Sequence, residues 1–495
     1  MAHFDADYRR ELLDEKDTSW AMSLLDSFVF AITPSFLHRF ILGQPTPPHK
    51  LHTIAALDGL RGVACLLVFN FHLLFTYTFK VMTGWGFGGE NWGFHQLPII
   101  HLLISGHVMV AIFFVISGYV LSHKPLKLLR SRNWEQAFQT LASSTFRRAL
   151  RLYIPAVTGL FLVLIAVRMG MYEYSTYVRD EGTTIRGINE EHPPYFESLA
   201  SQLFHWYLTV VRLVDVWDWG LFYNFYNPHL WTIPVEFRSS IVLFLSILAS
   251  GRLRPSWRLT LISLETLYCI RWGRWDIVLF LAGMILAEID LICGLWDHHP
   301  TTTPYHPIAD PEAQNTTVND REKPPHHSST PLTPARRALW LFIFLVGLYI
   351  GSSPNSSPFH TPGFRFLASF TPRTYPEPHR FLQSIGAIII VASINHSPDL
   401  QRFFTHPLAQ YFGRISFAFY VVHGPILHSL GYSIMPSIWA VTGKETDLQY
   451  CMGFLVGWLV CLPLSVWAGD VFWRAVDIPS VRFARWVESK VIAQS

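Results

Sequence analysis

Leu57–Phe75 reads LDGLRGVACLLVFNFHLLF, apolar throughout except for Asp58, Arg61, Asn70 and His72. A stretch of about 20 apolar residues crosses a hydrocarbon core of about 30 Å as a helix, with every backbone group partnered inside the segment. The stretch therefore predicts a membrane span, and its polar residues need a reason to be there. An arginine in the hydrocarbon region costs roughly 2.5 to 3.5 kcal/mol even on the lenient insertion scale. Arg61 and His72 are eleven residues apart, which at about 100° and 1.5 Å per residue puts them on nearly one helix face, roughly 16 Å apart along the axis. Both are predicted to face one interior cavity. Taken singly, Arg61 also reads as a snorkelling arginine paired with Asp58, and His72 as a hydrogen-bonded core histidine.

The rest of the chain agrees with a lipid solvent. Of 495 residues, 50% are hydrophobic and only 15% charged, well below the roughly 25% of a soluble domain. Hydropathy predicts an all-α, polytopic membrane bundle of about ten helices, at 57–79, 97–122, 148–169, 229–250, 256–270, 275–295, 336–352, 381–396, 410–432 and 451–473. Residues 1–50 form an N-terminal segment in which 23–42, interrupted by Asp26, Pro34 and His38, suits an interfacial helix. Its opening mixture of acids and bases predicts no cleaved signal. Residues 51–475 form the membrane domain and 476–495 a basic tail. The Pro-, Thr-, Ser- and His-rich stretch 298–335 predicts a disordered loop.

Lys124, Lys127, Arg130, Arg132, Arg147 and Arg148 form the densest basic run between spans. The positive-inside rule puts that loop and both termini in the cytosol, in an endomembrane or the plasma membrane. The acidic segment 170–228 then lies outside, where Asn355 is a candidate glycan acceptor and Asn315 is not. Arg271 and Arg274 fall outside too, so 256–295 also reads as a re-entrant pair. A net charge of +3 without a basic patch excludes a nucleic-acid surface. Five cysteines without CxxC spacing argue against a disulfide framework or zinc site. The histidines at 298, 299, 306, 326 and 327 lack ligand spacing, so no metal is expected.

Further candidates sit at fixed places along the spans. PHLWTIPVEFRSSIVLF (228–244) puts Glu236 and Arg238 near the outer boundary, with Glu236 the inward group. YFGRISFAFYVVHGPILHSL (411–430) puts Ser416, Tyr420 and His423 on one face, by spacings of four and three. Such a stripe equally reads as glue between helices. FRRALRLYIPAV (146–157) offers Arg148 and Arg151 as forks for phosphate or for lipid headgroups. Ser117 and Gly118 in FFVISGYVL (113–121) allow close helix packing. No GxSxG, GxxxxGK[ST] or HExxH occurs, which removes the serine hydrolase, nucleotide hydrolase and zinc protease readings.

Together LDGLRGVACLLVFNFH with its R-x10-H spacing, FFVISGYVL, FRRALRLYIP, LWTIPVEF and FGRISFAFYVVHGPIL, in this order, resemble the acyltransferase 3 family over residues 57–475. The resemblance implies transfer of an acyl group, often acetyl from acetyl-CoA, to a hydroxyl of a carbohydrate, lipid or natural product. It places the family's essential arginine and histidine on Arg61 and His72. The family's acidic stretch falls on Trp231–Glu236, although its second acidic position is Phe237 here.

On this reading the chain is an acyl-CoA-dependent O-acyltransferase with no bound cofactor, in which His72 is the general base. Arg61, Arg148 and Arg151 hold the CoA phosphates. Glu236 orients a histidine from outside, and Ser416, Tyr420 and His423 support the acceptor. The competing reading is a transporter with Arg, His and Glu along a polar path. It predicts repeated halves, which the sequence lacks.

Overall fold

The computed structural model describes residues 29–38, 51, 54–295 and 333–491. The predicted disordered loop and its histidines, and most of the N-terminal segment, lie outside these residues. Among the described residues there is no strand, as the all-α expectation requires. The principal helices are α1 (Ala55–Phe75), α2 (Gly106–Arg130), α3 (Trp134–Arg168), α4 (Glu173–Asp180), α5 (Leu199–Leu213), α6 (Thr232–Ser250), α7 (Pro255–Arg271), α8 (Trp275–Ile292), α9 (Pro334–Gly351), α10 (His379–His396), α11 (Pro398–Phe404), α12 (Pro407–Ile426), α13 (Tyr432–Thr442), α14 (Asp447–Phe472) and α15 (Ile478–Val491).

Six helical stretches among the described residues are long and apolar enough to cross a membrane: α1, α2, α3, Pro228–Ser250, α9 and Asp447–Val491. The pair α10 and α11, bent by 103°, makes a seventh if counted as one span. The expected count of about ten therefore stands only in part. The shortfall has a physical cause in α8, which carries Asp276, Glu288 and Asp290. Two of these acids are held by neighbouring helices. Glu288 pairs with Arg258 at 3.1 Å and Arg130 at 3.5 Å. Asp290 accepts from Tyr119 at 2.8 Å and from Asn395 at 3.0 Å.

Two expected boundaries move. The second span begins at Gly106, not at 97, because Ile99 adopts φ 69° and Ile100–Ile104 forms a separate tight turn. The third begins at Trp134, so Arg147 and Arg148 lie inside a 35-residue helix instead of at its cytosolic start.

Close approach fixes the bundle. A Cβ on Gly62 of α1 would sit 2.3 Å from the Ala409 carbonyl, and one on Gly413 of α12 would sit 2.3 Å from the Asp58 carbonyl. In lipid, where apolar burial does not drive association, such small-residue contacts bring helices together. The expectation for Gly118 is met in the same way against Phe280. One apolar core joins α2, α6, α8 and α10, and a second joins α1, α3, α12 and α14. Residues 29–38 fold back onto α14, where Ser35 bonds Asp470 and Arg474 donates to the carbonyls of Phe30, Ala31 and Thr33.

Candidate functional site

At the end of α1 nearer the 170–228 segment, His72 lies among other imidazoles. Its ring is centred 3.6 Å from that of His229, tilted by 34°, and 5.4 Å from that of His423. His229 comes from the tight turn Pro228–Trp231 that leads into α6, a turn set by the proline at its first position. His423 lies in the last turn of α12. Pro425 removes a backbone donor just beyond, and the helix widens into a π-helical turn, Leu427–Gly431, that carries His428 inward.

The buried carboxylate in this group is Glu190, from the segment between α4 and α5. One of its oxygens accepts from Nε2 of His229 at 3.1 Å and from Nε2 of His428 at 2.9 Å. Burial pushes this carboxyl up, but the two imidazoles outweigh burial and hold it well below the ordinary carboxylate range. It therefore acts as an acceptor only. Nδ1 of His72, Nδ1 of His229 and Nε2 of His423 are buried without a hydrogen-bond partner. Unsatisfied buried polar atoms of this kind need a reason, and a site that is filled or that moves a proton is one.

A metal ion is one way to fill it. His72, His229 and His423 offer ligand atoms within 4.8 Å of one another, as do Glu190, His229 and His428. The geometry fits poorly. The His229 and His423 rings are near-parallel, at 14° with centroids 5.2 Å apart, and Nε2 of His229 is already bonded to Glu190. Ligands of a tetrahedral zinc at about 2.0–2.1 Å stand about 3.3 Å apart. The Glu190 separations of 2.9 and 3.1 Å are those of hydrogen bonds.

The predicted site residues separate into two groups. Tyr420 joins the histidines, since its hydroxyl bonds the His229 carbonyl and Thr232 Oγ1. Ser416 does not, because it donates to the Gly413 carbonyl of its own helix. Glu236, expected to orient a histidine, instead accepts from Arg148 at 2.8 Å and from Ser117 at 3.3 Å. The carboxylate hydrogen-bonded to histidines here is Glu190. Arg148, expected at the cytosolic mouth, is buried and also reaches Ser240. Arg238 is likewise buried, donating to the Asp218 carbonyl.

Arg61 stays partly exposed, with Asp58 at 3.8 Å and the Phe113 ring 6.0 Å away. Arg151 is half-buried. Sequence reasoning missed Glu190, His192, His229 and His428. His229 stands directly before the quoted LWTIPVEF, a place that draws notice, whereas Glu190 looks like its neighbour Glu191.

Comparison with known proteins adds the last observation. The profile described as Acyltransferase domain, of the acyltransferase 3 family, matches residues 54–474. "O-acetyltransferase PaAT-1" of Phomopsis amygdali is 31% identical over 89% of this chain and 86% of its own length. "Acyltransferase R4" of Phoma sp. is 28% identical over 88% and 95%, and "Acyltransferase clz18" of Cochliobolus lunatus 26% over 89% and 96%. No solved structure matches.

Proposed function

The chain belongs to the acyltransferase 3 family, and we propose that it moves an acyl group, acetyl in the first instance, from acyl-CoA to a hydroxyl of a small lipophilic metabolite, lipid or carbohydrate. The observation that carries this reading is His72, set in a membrane helix with an unpaired Nδ1 and held among His229, His423 and Tyr420. The relative named an O-acetyltransferase supports acetyl as the group.

His72 takes the proton of the acceptor hydroxyl as its oxygen attacks the thioester carbonyl. The new C–O bond forms, the C–S bond breaks, and the proton passes to the departing CoA thiolate. Ester and free CoA are the products. Arg61, with Arg151, meets the donor's phosphates, where a guanidinium fork suits a phosphate dianion. Arg148, engaged by Glu236, stands behind them and holds α3 against α6. Donor and acceptor meet inside the bilayer, the acceptor arriving from the side of the 170–228 segment.

The test is to compare metabolites of cells with and without the gene. A compound heavier than its precursor by one acyl mass is expected only in the cells that carry the gene. H72A is expected to lower its formation by about 10²–10⁴-fold, the range for a general base. An H72A protein that is correctly inserted and fully active would overturn the mechanism.

A further inference from the structure

We propose that Glu190 is a positioning residue for acyl transfer, brought into the bundle by the segment between α4 and α5 to orient the imidazoles on which His72 rests. This deepens the reading above and depends on it.

Glu190 and Glu191 are neighbours in an acidic outer segment, yet their side chains are 13% and 71% exposed. The difference comes from how the segment is pinned. Backbone N–H groups of Gly187 and Ile188 donate to the carbonyls of Thr76 and Phe75 at 2.8 and 3.0 Å. Those carbonyls end the helix that carries His72. A Cβ on Gly187 would fall 2.0 Å from the Phe75 carbonyl oxygen, so the approach requires glycine. Ile185 is buried with Tyr77, Tyr432 and Trp439, and His192 is held by Thr176 at 3.1 Å. Anchored on both sides, Glu190 points inward.

There its single oxygen takes both Nε2–H groups, from His229 and His428. This fixes which nitrogen of His229 carries the proton and which way its ring faces, and that ring is the one packed 3.6 Å from His72. The carboxylate is also the anion nearest the imidazoles when the acceptor's proton arrives, and it stabilises the positive charge that develops. Other charged or titratable groups facing it are His192 on its own segment, Tyr432 beyond the π-helical turn, and Arg179 of α4, which is occupied by Asp180 and Glu191.

The experiment uses full-length protein in membranes, radiolabelled acetyl-CoA as donor, and the acceptor found by the comparison of cells. E190Q keeps the shape but sets an amide donor against imidazole donors. It is expected to lower kcat roughly 100-fold while KM for acetyl-CoA stays within about 3-fold, with E190D recovering about 10-fold. A purely structural role would lower the amount of folded enzyme and leave kcat per folded molecule unchanged. E190Q at wild-type kcat beside an inactive H72A overturns this proposal alone. An active H72A overturns the base assignment beneath it. Should E190Q fail to fold, E190D decides: reduced kcat at unchanged KM supports the proposal, and wild-type kcat overturns it.

Discussion

Residue by residue, the site was legible where lipid makes a polar group expensive and illegible where water does not. Arg61 and His72 stand out as the two basic residues of the otherwise mostly apolar Leu57–Phe75. Glu190 lies among Glu181, Glu191 and Glu197, where one more acid attracts no notice. His192 is the same kind of residue, and its burial has a measurable consequence. It is 4% exposed, its Nε2 has no partner, and its imidazole is pushed down from 6.5 to about 2, mainly by burial and then by His428 and Arg179. The folded pKa lies below the unfolded one, so on acidification the unfolded chain takes up a proton that the folded chain refuses. His192 therefore costs no stability above about pH 6.5 and removes up to about 1.4 kcal/mol per pH unit below it. Between pH 7.5 and 5.5 the wild-type protein in detergent is expected to lose thermal stability more steeply than H192N. Parallel curves for the two proteins would sink this account.

Among the elements, helices were legible by their apolar length, and their ends by proline and by backbone conformation only in part. Pro98 lies inside the expected second span, and the break at Ile99 that follows it shortens that helix. The α7–α8 hairpin was expected from hydropathy at 256–270 and 275–295, and its polar ends are what hydropathy does not describe. At one end Arg258 and Glu288 meet Arg130, next to the basic loop, and at the other Arg274 lies 4.5 Å over Trp219 of the 170–228 segment. The hairpin therefore has one end beside the α2–α3 turn and the other beside the 170–228 segment. Arg148 and Glu236 make a similar tie between α3 and α6. Removing one partner of a buried ion pair costs about 3–5 kcal/mol because the other charge is left stranded. Glu236 is 21% exposed, so about 3 kcal/mol, the low end, is expected for E236M or R148M. The double variant R148M/E236M is expected to be more stable than the sum of the single losses predicts. Strict additivity in thermal unfolding would show that the pair does not couple the helices.

For the molecule as a whole, orientation rests on charge, and the positive-inside rule counts Lys and Arg near span ends. Lys124, Lys127, Arg130 and Arg132 crowd the α2–α3 turn, while Asp180, Glu181, Glu190 and Glu191 mark the opposite end. Arg271 and Arg274 contradict the rule at first sight, since they share the end of the acidic segment. They are two against the four basic residues of the α2–α3 turn, and the rule follows the larger count. The glycan test suggested by sequence loses force, because Asn355 is buried with its amide held by Met82 and Gln383. Cysteine labelling replaces it. Ser131 and Thr183 are exposed at the two ends, and the exposed native thiols Cys293 and Cys451 are first changed to serine. In sealed vesicles with the cytosolic face outward, a membrane-impermeant maleimide is expected to label S131C at once and T183C only after permeabilisation. The reverse order would turn the bundle over and make Arg61 face the lumen, where no cytosolic CoA pool would reach it. Labelling of both from one side would break the bundle's parity and leave Glu190 and Arg61 at the same face, so the distance along α1 that separates phosphate contact from proton transfer would lose its purpose.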